Sequence, residues 1–131
     1  MLWEFLPMQL RMLGMVLSRE AIADIGKPDA WLTDKMQLGL LDGVVIHTPG
    51  HSEGSCCFYF HDSRLLLAGD TLFRGAVGRS DMLGGSPEKL KDSIVNKLYT
   101  LPDEVTVITG HGPSTMIGHE KRNNSYIRAE L

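Results

Sequence analysis

Apolar positions change their spacing along the chain, and each change marks an element. Over residues 1–26 Leu2, Phe5, Leu6, Met8, Leu10, Met12, Leu13, Met15, Val16 and Leu17 recur at intervals near three and four. This predicts one or two helical segments, with Pro7 near a helix start and the methionines as flexible core filler. Lys27-Pro28-Asp29 breaks the pattern, and Met36, Leu38 and Leu40 then alternate up to Asp42-Gly43, after which Val44, Val45 and Ile46 resume. Alternation on both sides of Asp-Gly predicts a β-hairpin. His47 to Ser55 is dense in turn residues, Cys56 to Phe60 is a further strand, and His61-Asp62-Ser63 is a turn. Arg64 to Ala68 reads as a strand buried on both faces and ending at Gly69-Asp70. A long glycine-containing loop over 74–86 leads to Ser86-Pro87-Glu88, which has the order of cap, proline and acid that opens a helix. Leu90, Ile94 and Leu98 are its buried stripe. Val105 to Ile108 is one more short strand, Gly110-His111-Gly112-Pro113 a turn at its tip, and a final helix is expected in the tail from Ser114.

Length and composition narrow the function classes. At 131 residues, 43% hydrophobic and 22% charged, with no internal repeat or linker, the chain is expected to form one folding unit. Its 13 Lys+Arg against 16 Asp+Glu give a net charge of −3, so no basic field favours nucleic acid. No apolar run approaches the roughly 20 residues of a membrane span. Leu2-Trp3-Glu4-Phe5-Leu6-Pro7 lacks the basic start of a signal peptide, which makes a cytoplasmic location the default. Cys56 and Cys57 are adjacent and, in a strand, point to opposite faces, so free buried thiols are expected rather than a disulfide.

Three metal-capable residues share one kind of place. His51, Asp70 and His111 each sit in or beside a Gly-containing turn directly after a predicted strand. On a sheet whose strands run together, three such tips could converge on one point. His47, His61 and His119 are read as structural.

The segments Thr48-Pro49-Gly50-His51-Ser52-Glu53-Gly54-Ser55, Ala68-Gly69-Asp70-Thr71-Leu72-Phe73, Gly78-Arg79-Ser80-Asp81 and Gly110-His111-Gly112-Pro113 resemble the metallo-β-lactamase superfamily, and within it the glyoxalase II-like (hydroxyacylglutathione hydrolase-like) enzymes. The resemblance runs in order from about the first predicted helix to Asn124. It implies an α/β (α+β) fold, the C-terminal half of an αββα sandwich: a mixed sheet flanked by helices, with strand-tip loops that hold two metal ions. Zinc is the implied metal, with iron or manganese as alternatives. By position, His51 resembles the histidine of the first metal site, Asp70 the catalytic carboxylate that bridges both ions, and His111 the histidine of the second. The implied activity is thioester hydrolysis. Zinc lowers the pKa of bound water from about 15.7 to about 7, and a thiol leaving group departs readily as thiolate.

The family's His-x-His-x-Asp-His motif is absent: no two histidines here are separated by one residue. The chain is therefore expected to be a single truncated domain, 1–131, whose N-terminal half is missing and whose metal sites are not completed by this polypeptide alone. Hydrolysis by the isolated chain is expected to be slight or nil. The remaining sheet should expose an apolar face or edge, favouring a homo-oligomer. The glutathione-binding helical extension of glyoxalase II is likewise expected to be lacking, so the implied partner is a small-molecule thioester without assigned glutathione specificity. Two further readings differ in class: a non-catalytic remnant that self-associates or binds a partner, and, within the superfamily, an iron-dependent persulfide dioxygenase-like protein using His51 and Asp70. Arg79 with Asp81 is expected to form a loop-holding ion pair. Lys121-Arg122 is read as a solvated helix face, and Ser52, Ser55 and Thr71 as groups that hydrogen-bond the ligating residues.

Overall fold

A computed structural model describes residues 31–38 and 42–129. The helices expected over 1–26 and the break at Lys27-Pro28-Asp29 lie outside the described residues. Five strands form one mixed sheet in the order β1 (Gly43–His47), β2 (Cys56–Phe60), β3 (Leu65–Gly69), β6 (Thr106–Thr109) and β7 (Thr115–Met116). A two-stranded ribbon of β4 (Leu72–Phe73) and β5 (Ala76–Val77) stands apart. Helix α1 (Pro87–Asn96) connects the ribbon to β6 through a 3-10 turn at Leu98–Thr100, and α2 (Ile117–Asn123) follows β7.

Pairing determines which strand ends meet. β1 is antiparallel to β2, β2 antiparallel to β3, and β3 parallel to β6. β1, β3 and β6 therefore end on the same side of the sheet, and the loops that leave them carry His51, Asp70 and His111. The convergence open to the sequence is thus dictated by strand direction.

Alternation then separates the two faces. Ile46 lies opposite Cys57, and Tyr59, Leu66 and Val107 form a row across β2, β3 and β6. These side chains pack with Leu90, Ile94, Leu98, Val105 and Ile117 in the main core. On the other face Val45, Phe58, Leu67 and Ile108 are in register. Val45 packs there with Cys56, Leu32, Met36, Leu38 and Phe58. The adjacent cysteines thus enter separate clusters as free, buried thiols.

Local chemistry explains the termini. The Ser86 side chain accepts from the Lys89 N–H at 3.2 Å, and Pro87 begins α1 with its fixed φ. The predicted stripe is buried at Leu90, Ile94 and Leu98, although Leu98 falls in the 3-10 turn rather than in the helix. Three other expectations differ. The strand before Asp42-Gly43 is reduced, within the described residues, to one bridge between Gln37 and Val44. β3 is buried on one face and only partly on the other, and among the described residues helices pack against the first face alone. The loop expected over 74–86 contains the second strand of the β4–β5 ribbon, whose tight turn uses Gly75 at φ 74°.

Candidate metal centre

The Pro49–Ser55 loop is fastened to α1. Ser93 Oγ donates to the Pro49 carbonyl at 2.7 Å, and the Ser86 N–H donates to the Gly50 carbonyl, also at 2.7 Å. His51 is oriented from its far side: its Nδ1 lies 2.8 Å from the Arg79 carbonyl oxygen. A carbonyl only accepts, so Nδ1 carries a proton, and Nε2 is the ring nitrogen left to ligate a cation. That Nε2 lies 3.7 Å from Asp70 Oδ2. The carbonyl is steadied by the expected pair of Arg79 and Asp81, whose Nε and Oδ1 are 3.1 Å apart. This contact raises the guanidinium pKa and lowers that of the carboxyl.

Asp70 follows β3 and is almost entirely buried, with 8% of its surface exposed. Two glycines permit that placement. A Cβ on Gly110 would lie 2.4 Å from Asp70 Oδ1, and one on Gly78 would lie 1.8 Å from the Asp70 carbonyl oxygen. Asp70 Oδ1 faces His111 Nε2 at 3.5 Å. His111 is largely exposed, its ring facing that of Phe73 with centroids 6.2 Å apart. The carboxylate thus presents one oxygen to each histidine. Among the described residues no backbone N–H and no hydroxyl donates to it, and its polar neighbours are the two imidazoles.

This donor set fits divalent cations. A buried carboxylate whose polar neighbours are two ring nitrogens at 3.5 and 3.7 Å is poorly satisfied. A cation between each nitrogen and its oxygen would offset that cost, and the Nδ1–carbonyl contact is the support that ligating histidines commonly have. Two imidazoles and a carboxylate are donors for zinc, iron or manganese alike.

The other sequence candidates serve elsewhere. His47 Nε2 contacts the Glu53 carbonyl at 2.8 Å. His61 lies between Asp42, at 2.8 Å, and Asp62, at 3.0 Å, at the opposite end of the sheet. Among the described residues, Asp42, His61 and Asp62 are the one group of three metal-capable side chains whose donor atoms all lie within 4.8 Å of each other. Their mutual pairing, with the Asp62 N–H donating to Asp42 at 2.5 Å, accounts for them as a clasp between two turns. Ser52 and Ser55 bond each other at 2.6 Å, and Thr71 contacts Thr48 at 3.3 Å, so none of the three supports a ligand-type atom directly. Lys121 and Arg122 are not simply solvated: both pair with Asp103, lowering its pKa and tying α2 to the turn before β6. A cleft of about 450 Å³ lined by Trp31, Asp34, His47, Glu53 and Cys56 lies beside β1, apart from the three ligand-type residues. Sequence reasoning did not single out Phe73, the Arg79 carbonyl, Glu120 or Asn124. Only the stacking of Phe73 had a visible trace, an aromatic three residues after the strand-tip Asp.

Strand-tip histidines flanking one carboxylate thus lie at one end of a mixed sheet backed by helices. The chain belongs to the metallo-beta-lactamase superfamily, whose family model matches residues 1–111. It is 36% identical over 132 aligned positions to the hydroxyacylglutathione hydrolase GloC of Haemophilus influenzae, covering 98% of this chain and 60% of that protein. It resembles the crystal structure of TTHA1623 in a di-iron-bound form, with a TM-score of 0.75 and 36% identity over 96% of this chain and 60% of that one. The structure of the B3 metallo-beta-lactamase BLEG-1 is similar at a TM-score of 0.73 and 38% identity, over 91% of this chain and 56% of that one. The chain spans about half the length of the curated relatives it matches. Among the described residues no helix is long and apolar enough to cross a membrane.

Proposed function

We propose that this chain carries the shared-carboxylate portion of a two-metal hydrolase site of the glyoxalase II type. His51 serves one ion, His111 the other, and Asp70 both; the class of reaction is thioester hydrolysis. The observation that carries this reading is the division of the Asp70 carboxylate, Oδ2 toward His51 and Oδ1 toward His111. The relationship to GloC supports the substrate class, and the di-iron neighbour supports a paired-metal site without selecting zinc over iron or manganese. When bound, such ions supply a hydroxide nucleophile at neutral pH and polarise the thioester carbonyl. The protein's part is to hold His51 in one orientation through the Arg79 carbonyl and to keep the Asp70 side chain between the two histidines and largely out of bulk water. Three side chains shared between two ions leave each short of the three protein ligands usual for a catalytic zinc. The 131-residue chain alone is therefore expected to bind metal weakly and to show no appreciable turnover of a hydroxyacylglutathione thioester.

Zinc titration followed through the histidine ring resonances tests the assignment. His51 and His111 should respond together, and Asp70→Asn should weaken both responses. Equal responses in Asp70→Asn, a response confined to His61, or none at all would overturn it.

A second reading concerns assembly. On the face away from α1, Phe58, Phe60, Leu65, Leu67 and Ile108 are only partly buried, and a contiguous apolar face of this kind favours self-association. We propose a second copy of the chain as its partner.

A further inference from the structure

Glu120 is fully buried, yet no lysine or arginine pairs with it among the described residues. Its nearest basic group is His119 Nε2, at 3.9 Å. A buried carboxylate without a close cation is destabilising unless hydrogen bonds satisfy its oxygens. Three donors do so, each from a different place in the chain. The Gly75 N–H reaches Oε1 at 2.9 Å from the turn between β4 and β5. Asn124 Nδ2 reaches the same oxygen at 2.9 Å, and Thr115 Oγ1 reaches Oε2 at 2.5 Å from β7. Asn124, also fully buried, completes the grip on the ribbon by donating to the Ala76 carbonyl at 3.1 Å.

The turn held in this way lies next to the candidate metal centre. Ala76 is the register partner of Phe73, and Phe73 faces the ring of His111. The other end of the ribbon closes onto the site as well, since the Gly78 N–H donates to the Thr71 carbonyl at 3.1 Å directly after Asp70. Thr115 lies four residues beyond His111, at the far end of its loop. Glu120 therefore fastens both the ribbon that follows Asp70 and the loop that carries His111. His111 needs such an external support: apart from Asp70, the Phe73 ring is the one side-chain contact found for its imidazole among the described residues. His51, by contrast, is held independently by the Arg79 carbonyl.

We infer that Glu120, assisted by Asn124, is a positioning residue for the His111 side of the site, acting through the β4–β5 ribbon and Phe73. The inference rests on the proposed role of His111 as a ligand. A carboxylate suits the position because three donors converge on two oxygens and only an acceptor-only group receives them all. In Glu120→Gln one oxygen becomes an NH2, which forces the Thr115 hydroxyl to reverse or to lose its bond, while side-chain volume is preserved.

The test compares wild type, Glu120→Gln and Phe73→Ala by the ring resonances of His51 and His111, first without metal and then on titration with zinc. Phe73→Ala removes a partly buried side chain outside the main core, so it keeps the comparison available if Glu120→Gln folds poorly. The expected metal-free result is that Glu120→Gln moves the His111 signals in the direction of Phe73→Ala and leaves His51 in place. Both variants should then weaken the His111 response to zinc about tenfold, the scale of lost outer-shell support, and the double variant should lose little more. His111 signals unchanged in either variant, or losses that simply add in the double variant, would overturn the inference. A wild-type protein indifferent to zinc would refute the metal assignment instead, and the metal-free spectra would still decide whether Glu120 positions His111.

Discussion

Burial gives the two cysteines a chemistry opposite to that of reactive thiols. Cys56 and Cys57 are fully enclosed on opposite faces of β2, and desolvation pushes their pKa values up to about 12 and about 11 from an ordinary 9.0. At pH 8 both should resist a thiol-specific reagent until the protein is unfolded. Prompt labelling of one thiol in the native protein would contradict this assignment. The same shifts fix a pH dependence. The folded state keeps its thiol protons in a range where the unfolded chain releases them, so stability is complete below about pH 9 and declines as pH rises toward 11 and 12. Denaturant midpoints measured from pH 8 to 11 should fall, and Cys57→Ala should flatten the slope. At this scale the sequence was legible wherever a residue's role follows from its own position. The opposite faces of adjacent cysteines on a strand, and the placement of His51, Asp70 and His111 just beyond strand tips, are such cases. Glu120 and Asn124 were not legible: a polar pair four apart at the end of a short helix looks like a solvated face, and only the return of the β4–β5 turn against it makes it interior.

Among the elements, α1 agrees best with its sequence, because Ser86, Pro87 and the Leu90–Ile94 stripe all specify the same helix. The cap also bears on the site, since the Ser86 N–H that precedes α1 holds the Gly50 carbonyl beside His51. Ser86→Ala keeps that backbone bond and removes the one to Lys89, so it should cost about 1 kcal/mol of stability by chemical denaturation. Ser125→Ala, at an exposed position, serves as control and should stay within about 0.5 kcal/mol. Equal effects of the two would show that the cap bond contributes nothing. The β4–β5 ribbon is the opposite case. Two residues per strand are too few for alternation to register, and Gly75 and Gly78 make the stretch look like a loop. Its strand character comes from tertiary bonds to Glu120 and Asn124, which no local pattern announces.

At the scale of the molecule, pairing directions bring three separate strand tips to one end of the sheet, and they also give the sheet two unequal faces. One face is closed by α1 and the main core. The other carries the partly buried row Phe58, Leu67 and Ile108, and beside it Phe60 and Leu65, with Met116 at the β7 edge 43% exposed. The mixed sheet with its helix was readable because each long strand is bounded by turn residues. The edge strand β7 was not, since two residues between a turn and a helix give no period. Apolar surface in a contiguous row gains roughly 25 cal/mol per Å² when removed from water, and an uncovered edge strand adds unpaired backbone groups. The sedimentation coefficient of the purified chain should therefore rise with protein concentration. Met116→Lys places a charge at the edge of this face without entering the core, and it should shift the rise to higher concentration while leaving the melting temperature nearly unchanged. A single monomeric species at every concentration would refute self-association. A rise indifferent to Met116→Lys would place the contact on another surface. Because His51, Asp70 and His111 lie at the strand tips rather than on this face, the zinc response of their rings should not depend on whether the chain is associated.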